Sequence, residues 1–248
     1  MKSKTAQATD AKQLIKEIRI DLRSNSDSDH QKSAQRFHKI KIINYGVKTA
    51  TVRSIAKKYA KHLKELDKKE VFKICEELMK SDFGEESTIA IQFVASIKNQ
   101  WEPDDFKVFE QWAEKYINDW SKVDDFCLNV LSHFLTEFPQ FVKKTRRWIS
   151  SEKVWLRRMS AVCFIQGGSW RMNPGFFKDV LNTAEVLKDD PEDLVQKGVG
   201  WMLKIAAETH QREVFDFVMK NKSTMARTTL RYAIEKMPVS LKKKAMAK

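Results

Sequence analysis

Trp120 and Asp124 stand four residues apart in the stretch DWSKVDDF (119–126), an indole and a carboxylate beside a helix start. Two readings fit the pair. Ser121 can serve as N-cap, which makes Asp124 the third helical residue and lets its carboxylate bond back to the Ser121 amide. Alternatively, acid and ring together face something cationic that arrives from outside. The cap alone does not account for Trp120, because a hydrophobic staple needs an apolar residue at position 125 and Asp125 stands there.

Two further stretches carry chemistry. In VWLRRMS (154–160) the helix buries Trp155, Met159 and, beyond the stretch, Val162, and Arg158 falls on the flank of that stripe while Arg157 points elsewhere. An arginine so near a packed face pairs with an acid, stacks on a ring or meets a phosphate through its fork of donors. An interhelix salt bridge is the plainer of these. In QKGVGWMLK (196–204), Gly198 and Gly200 lie inside a helix, at about 1 kcal/mol each relative to Ala. Such losses are usually offset by a close approach of the backbone to another group. Trp201 shares a stripe with Lys197 and Lys204, which suits an anionic ligand, although a lone helical tryptophan is more often core. The chain has no GxSxG, HExxH, Walker loop or GxGxxG. Any chemistry therefore rests on carboxylate, aromatic and cationic groups.

The elements that must position these side chains are helices. The 248 residues include only 7 Gly and 5 Pro, too few turn formers for a sandwich or barrel, and 42% hydrophobic residues supply a sizeable core. Periodicity of the helical kind runs from about residue 10 to 237. AKQLIKEIRIDL (11–22) carries Leu14, Ile18 and Leu22 on one stripe, RSNSDSD (23–29) breaks it, and further helices read as 30–43, 50–65, 68–81, 86–98, 104–117, 122–137, 139–149, 152–166, 174–187, 191–207, 210–220 and 224–236. Pro139 and Pro174 take first-turn positions, Asp190 before Pro191 reads as an N-cap, and Gly167-Gly168 as a C-terminal cap.

EKVWLRRMSAVCFI (152–165) aligns without gaps on EDLVQKGVGWMLKI (192–205), with apolar residues at 154/194, 159/199, 162/202 and 165/205. A period near 40 residues belongs to HEAT-like helix pairs. The expected fold is all-α: an α-solenoid of HEAT-like antiparallel helix pairs with a concave basic groove. It forms one domain over 1–237, its first nine or so residues flexible, and 238–248 follows as a lysine-rich, solvated tail. The 46 Lys+Arg against 33 Asp+Glu leave a net charge of +13, which draws polyanions, nucleic acid foremost, unless it serves only as a generally basic surface. No segment joins a clean basic face to a broad apolar one, and no run approaches a membrane span. Cys75, Cys127 and Cys163 are dispersed and the five histidines lack ligand spacing, so reduced thiols in a cytoplasmic protein are expected, with no metal.

Taken in order, Trp120-x-x-x-Asp124, Trp155-Leu-x-Arg158, Gln196-Lys-x-x-Gly-Trp201 and YGVKT (45–49) resemble the AlkD-type DNA glycosylases of alkylation repair, over roughly residues 30–237. Phe37, Lys48, Ala50 and Ser121 depart from that family's usual residues. The resemblance implies a monofunctional glycosylase that releases cationic N3- and N7-alkylated purines from duplex DNA, as a monomer without metal or cofactor. It casts Asp124, Trp120 and Trp201 as catalytic, Arg158 as a phosphate clamp, and Phe37, Lys48, Lys197, Lys204 and Arg157 as further DNA contacts. The alternatives are a DNA-binding paralogue that does not cleave and a scaffold for acidic proteins. The enzyme requires Trp120, Asp124, Arg158 and Trp201 to converge on one surface.

Overall fold

The structure, a computed structural model, describes residues 4–247. The described residues are helical or irregular, with two isolated β-bridges, Ile43 to Phe83 and Gln166 to Arg171, and no strand among them. None of the described helices is long and apolar enough to cross a membrane. The fold is an all-α solenoid of successive helices. It divides into two compact units, 1–105 and 106–248, where the sequence suggests one domain over 1–237.

The first unit holds α1 (Lys4–Ser24), α2 (Ser28–Gln35), α3 (Thr49–Ala60), α4 (Lys68–Lys80) and α5 (Gly84–Ser96). Residues 1–3 of the segment expected to be flexible lie outside the described residues, and 4–9 belong to α1. The Leu14, Ile18 and Leu22 stripe is buried as expected. Asp27 stops the break between α1 and α2 by accepting from the Asp29 and His30 amides at 2.9 and 3.0 Å. The helix expected over 30–43 ends at Gln35. That side chain donates to the Ile40 carbonyl at 2.8 Å and accepts from the Ile42 amide at 3.1 Å, so it competes with the helix for backbone partners. Gly46 follows at φ +81°, where a Cβ would sit 2.2 Å from the Asp27 carbonyl.

The second unit holds α6 (Asp105–Lys115), α7 (Trp120–Phe126), α8 (Ser132–Glu137), α9 (Val142–Thr145), α10 (Val154–Val162), α11 (Phe177–Leu187), α12 (Asp193–Ala206), α13 (Gln211–Asn221), α14 (Arg227–Ala233) and α15 (Val239–Met246). A π-helical segment, Cys127–Leu131, joins α7 to α8. Val123, Phe126, Val130 and Phe134 bury one face of that course, with Phe134 set 5.3 Å from Phe109, ring to ring. The repeat seen in sequence is borne out in packing. α10 and α12 lie against each other, and the pairs 159/199, 162/202 and 165/205 are all buried, whereas 154/194 is only half-buried. The lysine-rich end is not a frayed tail: α15 packs on α13, buries Ala245, and receives a 2.9 Å hydrogen bond from Lys222 Nζ to the Ala247 carbonyl.

Candidate active site

In the second unit α7 packs on α10, α10 on α12 and α12 on α14, and the first three of these helices carry Trp120 and Asp124, Arg158, and Trp201 in turn. The N-cap of α7 is Asp119, not Ser121. Asp119 Oδ1 accepts from the Ser121 and Lys122 amides at 2.8 and 3.0 Å and from Ser121 Oγ at 2.6 Å. Asp is a stronger acceptor than Ser here, and it moves the helix start back by two residues. Asp124 is thereby released from any capping role. It lies one turn beyond Trp120 on the same face, since residues four apart stack along a helix.

Asp124 meets Arg158 across the α7–α10 contact. Arg158 Nε donates to Oδ1 at 2.9 Å and Nη2 to Oδ2 at 2.8 Å, a bidentate fork, while Nη1 donates to the Leu194 carbonyl in the first turn of α12. One guanidinium thus ties three helices together. Only 6% of the Arg158 side chain and 15% of the Asp124 side chain are exposed, so the carboxylate keeps a narrow opening to the outside. Burial pushes the Asp124 carboxyl above the usual carboxylate range. Arg158 pulls against that shift through charge and hydrogen bonding, and Asp119 adds a smaller upward push.

The two helical glycines are explained by what lies beside them. A Cβ on Gly198 would come within 3.3 Å of Val162 Cγ2 and 3.4 Å of Arg158 Cγ and Nη1, so the bare backbone makes room for the arginine stem. A Cβ on Gly200 would sit 2.4 Å from Tyr232 Cβ and 2.9 Å from the Thr229 carbonyl, which lets α14 close onto α12. Val195, Val199, Met202 and Ala206 form the buried stripe of α12, whereas Leu194, Lys197, Trp201 and Lys204 are half-buried along its other face. Trp201 is therefore not core. It lies one turn beyond Gly198, past the point where Arg158 crosses.

The remaining candidates are placed as follows. Trp120 is half-buried, and so is Trp155, which the sequence stripe had placed in the core; Leu156, Met159 and Val162 fill that role. Lys197 pairs with Asp193 at 3.4 Å, and Lys204 with Glu235 at 3.1 Å, so each lysine beside Trp201 has a carboxylate partner. Arg157 Nε donates to Asp190 Oδ2 at 2.7 Å, and its Nη1 to the Ser151 carbonyl at 2.8 Å. Asp190 is this clasp rather than an N-cap. Glu192 takes the cap position of α12, and its amide donates to Asp190 Oδ1 at 3.0 Å. Phe37 and Lys48 belong to the first unit and are exposed, with Lys48 at the cap position of α3.

Sequence reasoning passes over Trp170. Its ring centroid lies 5.7 Å from that of Trp201 at an interplanar angle of 42°, and it is 48% exposed. The signal was present: in QGGSWRMNPG (166–175) a tryptophan stands among Gly, Ser, Asn and Pro, with no helix face to receive it.

A protein-family model described as DNA alkylation repair enzyme matches residues 18–237. Among solved structures, the fold is similar to a chain described as a predicted DNA alkylation repair enzyme from Enterococcus faecalis. The TM-score is 0.74 at 12% identity, with 87% of this chain and 98% of that chain covered. No curated protein matches the chain in sequence.

Proposed function

The chain belongs to the DNA alkylation repair enzyme family, and from that premise we propose that it is a glycosylase acting as a monomer on duplex DNA, hydrolysing the N-glycosidic bond of N3- and N7-alkylated purines. The observation that carries this reading is the Asp124 carboxylate. It is held in a bidentate fork by Arg158, set one turn from Trp120, free of its own backbone and open to the outside through a small window.

The chemistry needs little more. Alkylation at N3 or N7 gives the purine a positive charge, so the base leaves with the glycosidic electron pair as a neutral molecule and no acid has to protonate it. Positive charge then grows on the deoxyribose. A fixed carboxylate stabilises that oxocarbenium character and orients a water whose oxygen bonds to C1′, while its proton passes to the carboxylate and on to solvent. The products are the free alkylpurine and an abasic site. Trp120 and Trp201 hold the sugar and the cationic nucleotide by apolar and cation–π contact, on the order of 0.5–2 kcal/mol each. Arg158 fixes the carboxylate's direction; with 6% of its side chain exposed and its fork spent on Asp124 and the Leu194 carbonyl, it acts through that pair and not as the phosphate clamp expected from the sequence. Lys197, Lys204 and Arg157, each already paired, contribute through the field they set up around the duplex.

A second reading draws on the same ion pair. A carboxylate neutralised by an arginine also suits a paralogue that binds distorted duplex without cleaving it. One assay separates them: incubate the protein with methylated duplex and chromatograph the freed bases. Release of 7-methylguanine or 3-methyladenine above the spontaneous rate supports the glycosylase. Tight binding of the methylated duplex with no base released overturns it.

A further inference from the structure

The chain continues past the end of the family match. That match closes at residue 237, and α15 (Val239–Met246) lies wholly beyond it. A helix of 8 residues does not hold by itself in water, and this one carries Lys242, Lys243 and Lys244 in succession with no acid among them. It forms because it is docked. α15 packs on α13, with Ala245 buried and Leu241 and Met246 half-buried. Lys222, the residue that ends α13, donates from Nζ to the Ala247 carbonyl at 2.9 Å, so an orphan carbonyl at the end of α15 gains a partner.

Docking leaves a face of bare charge. Lys243 and Lys244 are exposed, and neither has a carboxylate partner among the described residues. The neighbouring sequence supplies none. Residues 220–248 hold nine Lys and Arg and a single acid, Glu235, which is already paired with Lys204 at 3.1 Å. More than half of the chain's net charge of +13 therefore sits in this end. The cations beside Asp124 differ in this respect. Arg157, Arg158, Lys197 and Lys204 are all held by internal acids, so the charge available to an outside anion is on α15 and not around the site.

We propose that α15 is a second duplex-binding surface, on which Lys243 and Lys244 meet the phosphates of double-stranded DNA running past the damaged nucleotide. Apart from Val239 at its start, 66% exposed, the helix keeps its apolar residues buried or half-buried and offers a partner charge and little else. A protein partner needs an apolar anchor at the centre of its interface, and a lipid surface needs an apolar face to bury. A phosphodiester backbone needs neither, and each phosphate neutralised releases bound counterions. Because the lysines are carried on a docked helix, their ordering entropy is lost on folding and not on binding. The surface adds affinity on any sequence and no chemistry. The inference rests on duplex DNA being the substrate, as proposed above, and not on the cleavage step.

The test is fluorescence anisotropy of a labelled, undamaged duplex titrated with protein between about 50 and 200 mM salt. Lys243→Gln with Lys244→Gln should weaken binding about 3- to 10-fold and reduce the slope of log affinity against log salt by about 1–2. Lys243→Arg with Lys244→Arg keeps the charge and should bind as wild type does. Lys73→Gln with Lys80→Gln removes the same charge from α4, where both lysines already have glutamate partners, and should leave the slope unchanged. Melting temperatures should match wild type throughout, since all four lysines are exposed. The maximal rate of 7-methylguanine release at saturating protein should also stay the same in the α15 glutamine variant. Wild-type affinity and slope in that variant would overturn the proposal. An equal loss in the α4 variant would do so too, because net charge alone would then explain the effect. Absence of base release from the wild-type protein leaves duplex binding readable and overturns the glycosylase reading alone.

Discussion

Arg158→Met in a double-mutant cycle with Asp124→Asn probes the ion pair that organises the site. Methionine keeps much of the buried stem but removes the charge and the fork. Removing one partner of a buried ion pair costs about 3–5 kcal/mol, because the other charge is left uncompensated. Asp124 retains 15% side-chain exposure, which sets the expectation at the lower end, about 3 kcal/mol, or a fall in melting temperature of roughly 6–12 °C for a chain of this size. The Leu194 carbonyl loses its donor in Arg158→Met with or without the second substitution, so that contribution cancels in the cycle. The double variant removes both charges and should lie about 2–3 kcal/mol above the sum of the two singles. The pH dependence gives an independent check. Burial already raises Asp124 above the usual carboxylate range, and without Arg158 it rises further. A carboxyl raised in the folded state contributes stability that is complete below its unfolded value of about 4 and is lost as pH climbs through the folded value. The Arg158→Met deficit should therefore be greatest near neutrality and shrink on acidification. Urea unfolding at several pH values measures both quantities. A coupling below about 0.5 kcal/mol, the behaviour of an exposed surface pair, would refute the reasoning, and so would a deficit that widens in acid.

The two glycines of α12 should separate cleanly. Gly200→Ala drives a methyl into Tyr232 and the Thr229 backbone, so despite a helix-propensity gain of about 1 kcal/mol it should lower stability by about 1–2 kcal/mol in thermal unfolding. Gly198→Ala meets side-chain atoms at 3.3–3.4 Å that can give way; it should stay within about 1 kcal/mol of wild type yet slow base release by displacing the Arg158 fork. Trp201→Ala should impair release more than folding, since the ring is only half-buried, and a large drop in melting temperature would make it a core residue. Base release should fall on the acid side with an apparent value above the usual carboxylate figure of about 4, because Asp124 must be ionised and burial raises its carboxyl. A profile flat down to pH 4 would count against Asp124.

Much of the second unit is legible in the sequence because helical period and burial coincide. The 152–165 and 192–205 match predicts two equivalent helices, and these pack together with corresponding residues buried. Gly198 and Gly200 signal close approach, and the approaching groups are Arg158 and Tyr232. Where the structure departs from the helical pattern of the sequence, a nearer hydrogen-bond partner decides the outcome. Asp119 outcompetes Ser121 for the first free amides of α7. Gln35 turns its side chain on the Ile40 and Ile42 backbone and ends a helix that periodicity would continue. Trp155 matches the spacing of a core residue, but the buried stripe of α10 is set by Leu156 instead. Trp170 lies outside any period, and only its loop's hydrogen bonds to Leu128 and Thr136 explain its place.

The most direct measurement compares single-turnover release of 7-methylguanine by the wild-type protein and Asp124→Asn, with duplex affinity followed in parallel below the melting range of both. A carboxylate aimed at the developing positive charge of the sugar predicts a loss of about 10²- to 10³-fold in rate with binding essentially unchanged. Release by Asp124→Asn within a few-fold of wild type, on equally bound duplex, would contradict it.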